Sequence, residues 1–120
     1  MLLDTPKQNR EIWKMEHETI INGMVRRIVE KFEPEKIILF GSYAQGTPNP
    51  ESDVDLLVVM NVQGSRRKMA TEIDLALADR TLPLDVIVVT PEQFERDRDQ
   101  IGTIIRPAAH HGKVVYERFR

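Results

Sequence analysis

Residues 36–59 read KIILFGSYAQGTPNPESDVDLLVV, and this stretch decides the fold. Lys36–Phe40 is a short run of isoleucine, leucine and phenylalanine closed by Gly41, the pattern of a buried strand. The segment GSYAQG, residues 41–46, sets glycine and serine at the strand end where a short helix can begin. Such a turn presents free backbone amides and a hydroxyl to an anion. After a turn-rich passage holding Pro48, Asn49 and Pro50, Val54–Val62 reads as a second strand. It is entered through Asp53 and Asp55, whose two-residue spacing sends both side chains to one face. Two carboxylates on one face repel each other, and a cation between them relieves the repulsion.

Working outward, Asp85 opens a third apolar run, Leu84–Val89, again a carboxylate at the mouth of a strand. Between these strands Ser65–Arg80 reads as a helix, with Met69, Ile73, Leu75 and Leu77 available to a sheet. Upstream, apolar residues from Ile12 to Phe32 recur at three- and four-residue steps, which predicts an amphipathic helix over Asn9–Phe32, with Gly23 a place for a bend and Pro34 its stop. Residues 1–8 read as a loose lead-in. Downstream, Thr90, Pro91 and Gln93 spell a helix start, with threonine as N-cap and proline at the first helical position. A further helix is expected over Ile101–His111, ended by Gly112, and an edge strand over Lys113–Glu117.

For Gly41, Ser42 and the three aspartates to form one site, the strands must be arranged in one way. Gly41 and Ser42 follow the C-terminal end of the first strand, whereas Asp53 and Asp55 stand at the start of the second. A strand of this length spans roughly 17–20 Å, so parallel neighbours would hold the two motifs at opposite ends. The first two strands are therefore expected to be antiparallel. Asp85 also begins its strand, and the intervening helix is long enough for a crossover, so the second and third should be parallel. The expectation is an α/β (α+β) fold, a mixed sheet of three to four strands flanked by helices, in a single domain over residues 1–120.

Glycine and serine, ten residues, Asp-x-Asp and then a lone aspartate on a later strand form a pattern that resembles the nucleotidyltransferase superfamily, which includes DNA polymerase beta and kanamycin nucleotidyltransferase. The likeness is strongest to the minimal nucleotidyltransferases, single-domain proteins often encoded beside a HEPN-domain partner, and it extends from about Val25 to the GKVVYE ending at 112–117. The resemblance implies that Gly41 and Ser42 contact the nucleotide phosphates. It also implies that Asp53 and Asp55 bind two magnesium ions, and that Asp85 completes the metal site nearer the attacking hydroxyl. ATP is the implied substrate, and a partner-protein hydroxyl receives AMP, in the manner of an antitoxin acting on a HEPN toxin. Transfer to a small acceptor such as an aminoglycoside is a second reading, although relatives of that kind usually carry a further acceptor domain. A non-catalytic nucleotide-binding module that neutralises its partner by contact is a third. One departure stands out: many members carry arginine where this chain has Gln45, which implies either weaker activity or a phosphate charge supplied by a residue such as Arg66, Arg67 or Lys68.

Composition narrows the remaining classes. With 17 basic and 19 acidic residues, the net charge of −2 creates no long-range attraction for nucleic acid, so direct nucleic-acid binding is not expected. The absence of cysteine excludes disulfides and thiolate metal sites. The longest apolar run, Leu56–Met60, is too short to cross a bilayer, and residues 1–20 lack the apolar core of a signal peptide, so a cytoplasmic location without membrane attachment is expected. Whether the chain forms a homo-oligomer is open. Bland readings compete with functional ones elsewhere. His110 and His111 suit a helix C-terminus better than a metal, and Arg66–Lys68 is commonly a solvated helix start. Trp13, Met15 and Met24 read as packing or interface residues, and Tyr43 is equally suited to the site and to the core.

Overall fold

The computed structural model describes residues 6–48 and 51–119, with side chains from residue 11 onward. The long first helix, α1 (Pro6–Phe32), leads into strand β1 (Lys36–Phe40) and a single helical turn, α2 (Ser42–Gln45). Strand β2 (Val54–Val59), helix α3 (Arg66–Ala76) and strand β3 (Leu84–Val89) follow, then helices α4 (Pro91–Asp97) and α5 (Ile105–His111) and strand β4 (Lys113–Glu117). The four strands form one mixed sheet in the order β3-β2-β1-β4. As the meeting of the motifs requires, β1 and β2 are antiparallel and β2 and β3 parallel.

Strand alternation divides the core into two layers. Ile37 and Leu39 of β1 with Val54, Leu56 and Val58 of β2 face Ile21, Met24, Val25 and Ile28 of α1 and Ile73 and Leu77 of the α3 region. The residues between them, Ile38, Phe40, Leu57 and Val59, face Phe94 of α4 and Ile105 and Ala108 of α5. Burial on both faces explains why the runs at 37–40 in β1 and 56–59 in β2 are continuously apolar rather than alternating.

Several boundaries differ from the sequence reading. Residues 6–8, assigned to a loose lead-in, belong to α1, because proline at a first helical position lacks only an N–H that would be unpaired there anyway; residues 1–5 lie outside the described residues, as do Asn49 and Pro50. The helix continues through Gly23. β2 ends at Val59 rather than Val62, opposite Lys36, the start of β1, and Val89, the end of β3. α3 stops at Ala76 rather than Arg80, and the Arg80 guanidinium donates to the carbonyls of Asp74 and Leu77 as the last turn unwinds. α5 begins at Ile105 rather than Ile101, since Gly102 takes a left-handed φ of 93° and Thr103 Oγ1 accepts from the Arg106 amide. The threonine cap on α4 forms as expected, Thr90 Oγ1 accepting from the Gln93 amide at 3.1 Å.

Candidate active site

β1 delivers the chain to one end of the sheet, and Gly41 turns it there. Gly41 has φ 75° and ψ −155°, a combination open essentially to glycine alone. Its carbonyl accepts from the amides of Ala44 at 3.1 Å and Gln45 at 3.2 Å, closing the turn of α2. Helical geometry leaves the Ser42 and Tyr43 amides without an intrahelical acceptor.

Asp55 approaches from the neighbouring strand. It is the register partner of Phe40 across β1–β2 and of Asp85 across β2–β3. The three aspartates share the parity of Leu57 and Ile87, so they lie at one end of the sheet and on one face. Gly41 is packed so closely here that an added Cβ would collide with Oδ2 of Asp55 and lie 3.2 Å from its Cγ. Glycine at this point therefore has two causes, the backbone angle and the carboxylate.

The electrostatics are unbalanced. Burial, then the Asp85 carboxylate, then that of Asp53 push the Asp55 carboxyl above its ordinary value. No ion pair reaches any of the three among the described residues. Nor do the described residues contain three or more histidine, cysteine, aspartate or glutamate side chains placed together so as to hold a metal ion. Asp53 and Asp85 are exposed and Asp55 is half-buried, so the oxygens line an open sheet end instead of a cage. That donor set fits magnesium, which takes hard oxygen ligands and is commonly bound by one or two carboxylates plus substrate phosphates.

The remaining candidates separate cleanly. Arg66, Arg67 and Lys68 are exposed and begin α3, which starts beyond the C-terminal end of β2. The aspartates stand at the other end of that strand, so this basic cluster cannot supply charge to them. His110 Nε2 lies 2.8 Å from Asp99 Oδ1 on the surface. Met24 is in the core, Met15 is exposed, and Gln45 is exposed at the end of α2. Tyr43 stands between the core and the aspartates. It packs at the margin of the core, while burial and then the Asp53 carboxylate raise its phenol above the ordinary value. Its hydroxyl is 3.0 Å from His17 Nδ1, and Trp13 stacks on its ring at 6.2 Å between centroids. His17 escaped the sequence reading, because its contact to Tyr43 spans 26 residues and no local pattern encodes it.

Comparison with known proteins bears on the family and the fold. Residues 21–109 match the family model described as "Nucleotidyltransferase domain". A Methanocaldococcus jannaschii protein provisionally named protein adenylyltransferase MJ0604 is 44% identical over 107 residues, covering 85% of this chain and 100% of that protein. A second from the same organism, provisionally named protein adenylyltransferase MJ1305, is 32% identical over 106 residues, covering 82% of this chain and 71% of the other. Among solved structures, one provisionally described as a nucleotidyltransferase from Sulfolobus solfataricus superposes with a TM-score of 0.59 at 17% identity, over 91% of this chain and 87% of that one. A mutant of the MntA–HpeT toxin–antitoxin superposes with a TM-score of 0.55 at 20% identity, over 81% and 73%. These two likenesses show the shared fold.

Proposed function

The chain belongs to the nucleotidyltransferase domain family and is a nucleotidyltransferase, and from that premise we propose that it transfers AMP from ATP to a hydroxyl of a partner protein. The observation that carries this reading is the convergence of Asp53, Asp55 and Asp85 on one sheet end beside the Gly41 turn, with no ion pair to any of them among the described residues.

In the proposed site Asp53 and Asp55 would hold two magnesium ions and Asp85 would complete the set on the acceptor side. Bound there, the ions would lower the pKa of the attacking hydroxyl and offset charge on the triphosphate. Gly41, lacking a side chain, lets phosphate oxygens approach the backbone, and the Ser42 hydroxyl and the amides of Ser42 and Tyr43 donate to them. The acceptor oxygen bonds to the α-phosphorus as the bond to the bridging β-phosphate oxygen breaks. Pyrophosphate leaves with the electron pair, and the hydroxyl proton passes to solvent.

The proposed acceptor is a protein because one small core leaves little surface to orient a free hydroxyl, and orientation within about 3–3.5 Å of the reacting atom supplies much of the rate. The N-terminal half of α1 supports a docked partner, with Ile12 49% and Met15 66% exposed where the helix runs past the sheet. The names of the two curated relatives point to a protein acceptor. The MntA–HpeT fold neighbour, with the sequence resemblance, points to a HEPN-domain toxin whose antitoxin this chain would be. A location in the cytoplasm fits that role, and among the described residues no helix is long and apolar enough to cross a membrane.

Binding tests the site before any partner is identified. Magnesium with ATP should raise the melting temperature, since a ligand present at a hundred times its Kd stabilises the folded state by about 2.7 kcal/mol. Asp53→Asn should abolish the rise without loss of the metal-free fold. An equal rise in an Asp53→Asn/Asp55→Asn variant would remove these residues from the site.

A further inference from the structure

Beside the phosphate turn, on the side away from the aspartates, lies a cleft of about 800 Å³ between α1 and the β1–β4 edge. Trp13, His17 and Tyr43 form one wall, Leu39 and Val115 the floor, and Lys113 the rim. Across the sheet end the order is Asp85 on β3, Asp55 on β2, Gly41 after β1, and Lys113 at the start of β4. Lys113 pairs in register with Leu39, two residues before Gly41. Its backbone is fixed there by Gly112, where an added Cβ would lie 2.6 Å from Ile38 Cγ2 and 2.9 Å from the Leu39 carbonyl oxygen.

We infer that Lys113 receives the terminal phosphates of the nucleotide, and then the departing pyrophosphate, at the mouth of this cleft. The inference rests on the reading that the triphosphate runs from the aspartates across Gly41 and Ser42. Lys113 shares the face of Leu39, toward α1, whereas the aspartates share the face of Leu57, so a triphosphate with its α-phosphorus at the aspartates passes over the sheet end at Gly41 for its free end to reach Lys113. A cation there would offset charge on the terminal phosphates, which lie farthest from the aspartates and their ions. Arg66, Arg67 and Lys68 are excluded by their place at the far end of β2. Arg80, at the near end, is committed to Asp74 in a 3.0 Å ion pair. Lys14 also lines the cleft, but it stands three residues from Glu11 and four from Glu18 on the same helix, and both carboxylates share the lining. Lys113 is exposed, lies on a strand, and has no ion-pair partner among the described residues. Trp13, the chain's single tryptophan, stacks on Tyr43 in the same wall and so reports on occupancy.

Calorimetric titration of the full chain with ATP, inorganic pyrophosphate and AMP, each with magnesium, tests this, with Trp13 fluorescence as a second readout. Lys113→Met should weaken ATP and pyrophosphate by about ten-fold or more, the size of one lost hydrogen bond to a charged group. It should leave AMP affinity and the ligand-free melting temperature unchanged, and Lys113→Arg should retain most of the binding. Unchanged ATP and pyrophosphate affinity in Lys113→Met, with wild type binding both, overturns the inference and spares the reading beneath it. Equal loss of AMP also overturns it, by placing the nucleoside in the cleft. Failure of wild type to bind either ATP or pyrophosphate takes down both.

Discussion

Gly41→Ala isolates the feature on which the site geometry depends. The substitution acts twice. A residue other than glycine held at φ 75° and ψ −155° costs about 1–3 kcal/mol of backbone strain, and the new Cβ collides with Oδ2 of Asp55 while standing only 3.2 Å from its Cγ. The Asp55 Cβ, at 3.6 Å, is in ordinary contact, so the carboxylate must rotate but the strand need not move. The variant should therefore fold, less stably, with its central ligand displaced. At about 2 kcal/mol, and roughly 3–5 °C per kcal/mol for a domain of this length, the melting temperature should fall by about 6–10 °C. Circular dichroism melts with and without magnesium and ATP should show that fall together with loss of the ligand-induced rise. Gly102→Ala is the control: its φ is 93° and its Cβ would meet open space, so it should lose stability yet keep the ligand-induced rise. Adding Asp55→Ala to Gly41→Ala should restore part of the stability and none of the binding. Wild-type melting and a wild-type ligand response in Gly41→Ala would refute the reasoning.

Two further outcomes follow from the charges at the sheet end. The Asp55 carboxyl, raised by burial and by its two neighbours, keeps its proton more readily in the folded than in the unfolded chain. Metal-free stability should accordingly decline as pH rises from the ordinary carboxylate range through the raised folded value, and the penalty should be complete above it. Asp55→Asn should remove that decline and melt at or above wild type near pH 7; a markedly lower melting temperature there would contradict the assignment. For the phenol of Tyr43, ultraviolet titration should find ionisation above the ordinary tyrosine value, and Asp53→Asn should bring it partway down, leaving the larger contribution from burial. No change on removing Asp53 would mean that the loop stands farther from the aspartates.

Much of this architecture was legible because one functional requirement constrained it. The demand that Gly41 meet Asp53 and Asp55 gave the antiparallel pairing of β1 with β2, and the aspartate at the start of β3 gave the parallel pairing with β2. Strands β1, β3 and β4 fall where their apolar runs place them. Helix ends were less legible, since they depend on contacts that no periodicity records. Thr103 caps α5, and Arg80 draws its side chain back over the end of α3. Of the two readings of Arg66–Lys68, the solvated helix start is the one that fits, for a topological reason: a crossover helix starts where its preceding strand ends, so its first turn lies away from a site at the strand's beginning. Lys113 carried a weaker signal, being the first residue of the expected edge strand, and its nearness to Gly41 emerges only once β4 pairs with β1. The cleft wall of Trp13, His17 and Tyr43 joins α1 to α2 across more than twenty residues, beyond the reach of any motif.

The central claim, nucleotide transfer to a protein hydroxyl by the three aspartates, is tested most directly by intact mass. The chain would be incubated with ATP, magnesium and a HEPN-domain protein as the proposed partner, using wild type and Asp53→Asn in parallel. With wild type the partner should gain the mass of one or more AMP groups, on a hydroxyl side chain that fragmentation identifies as tyrosine, and with Asp53→Asn it should gain none. An unmodified partner that nevertheless binds wild type stably and loses its toxicity would contradict the account and leave a module that acts by contact alone.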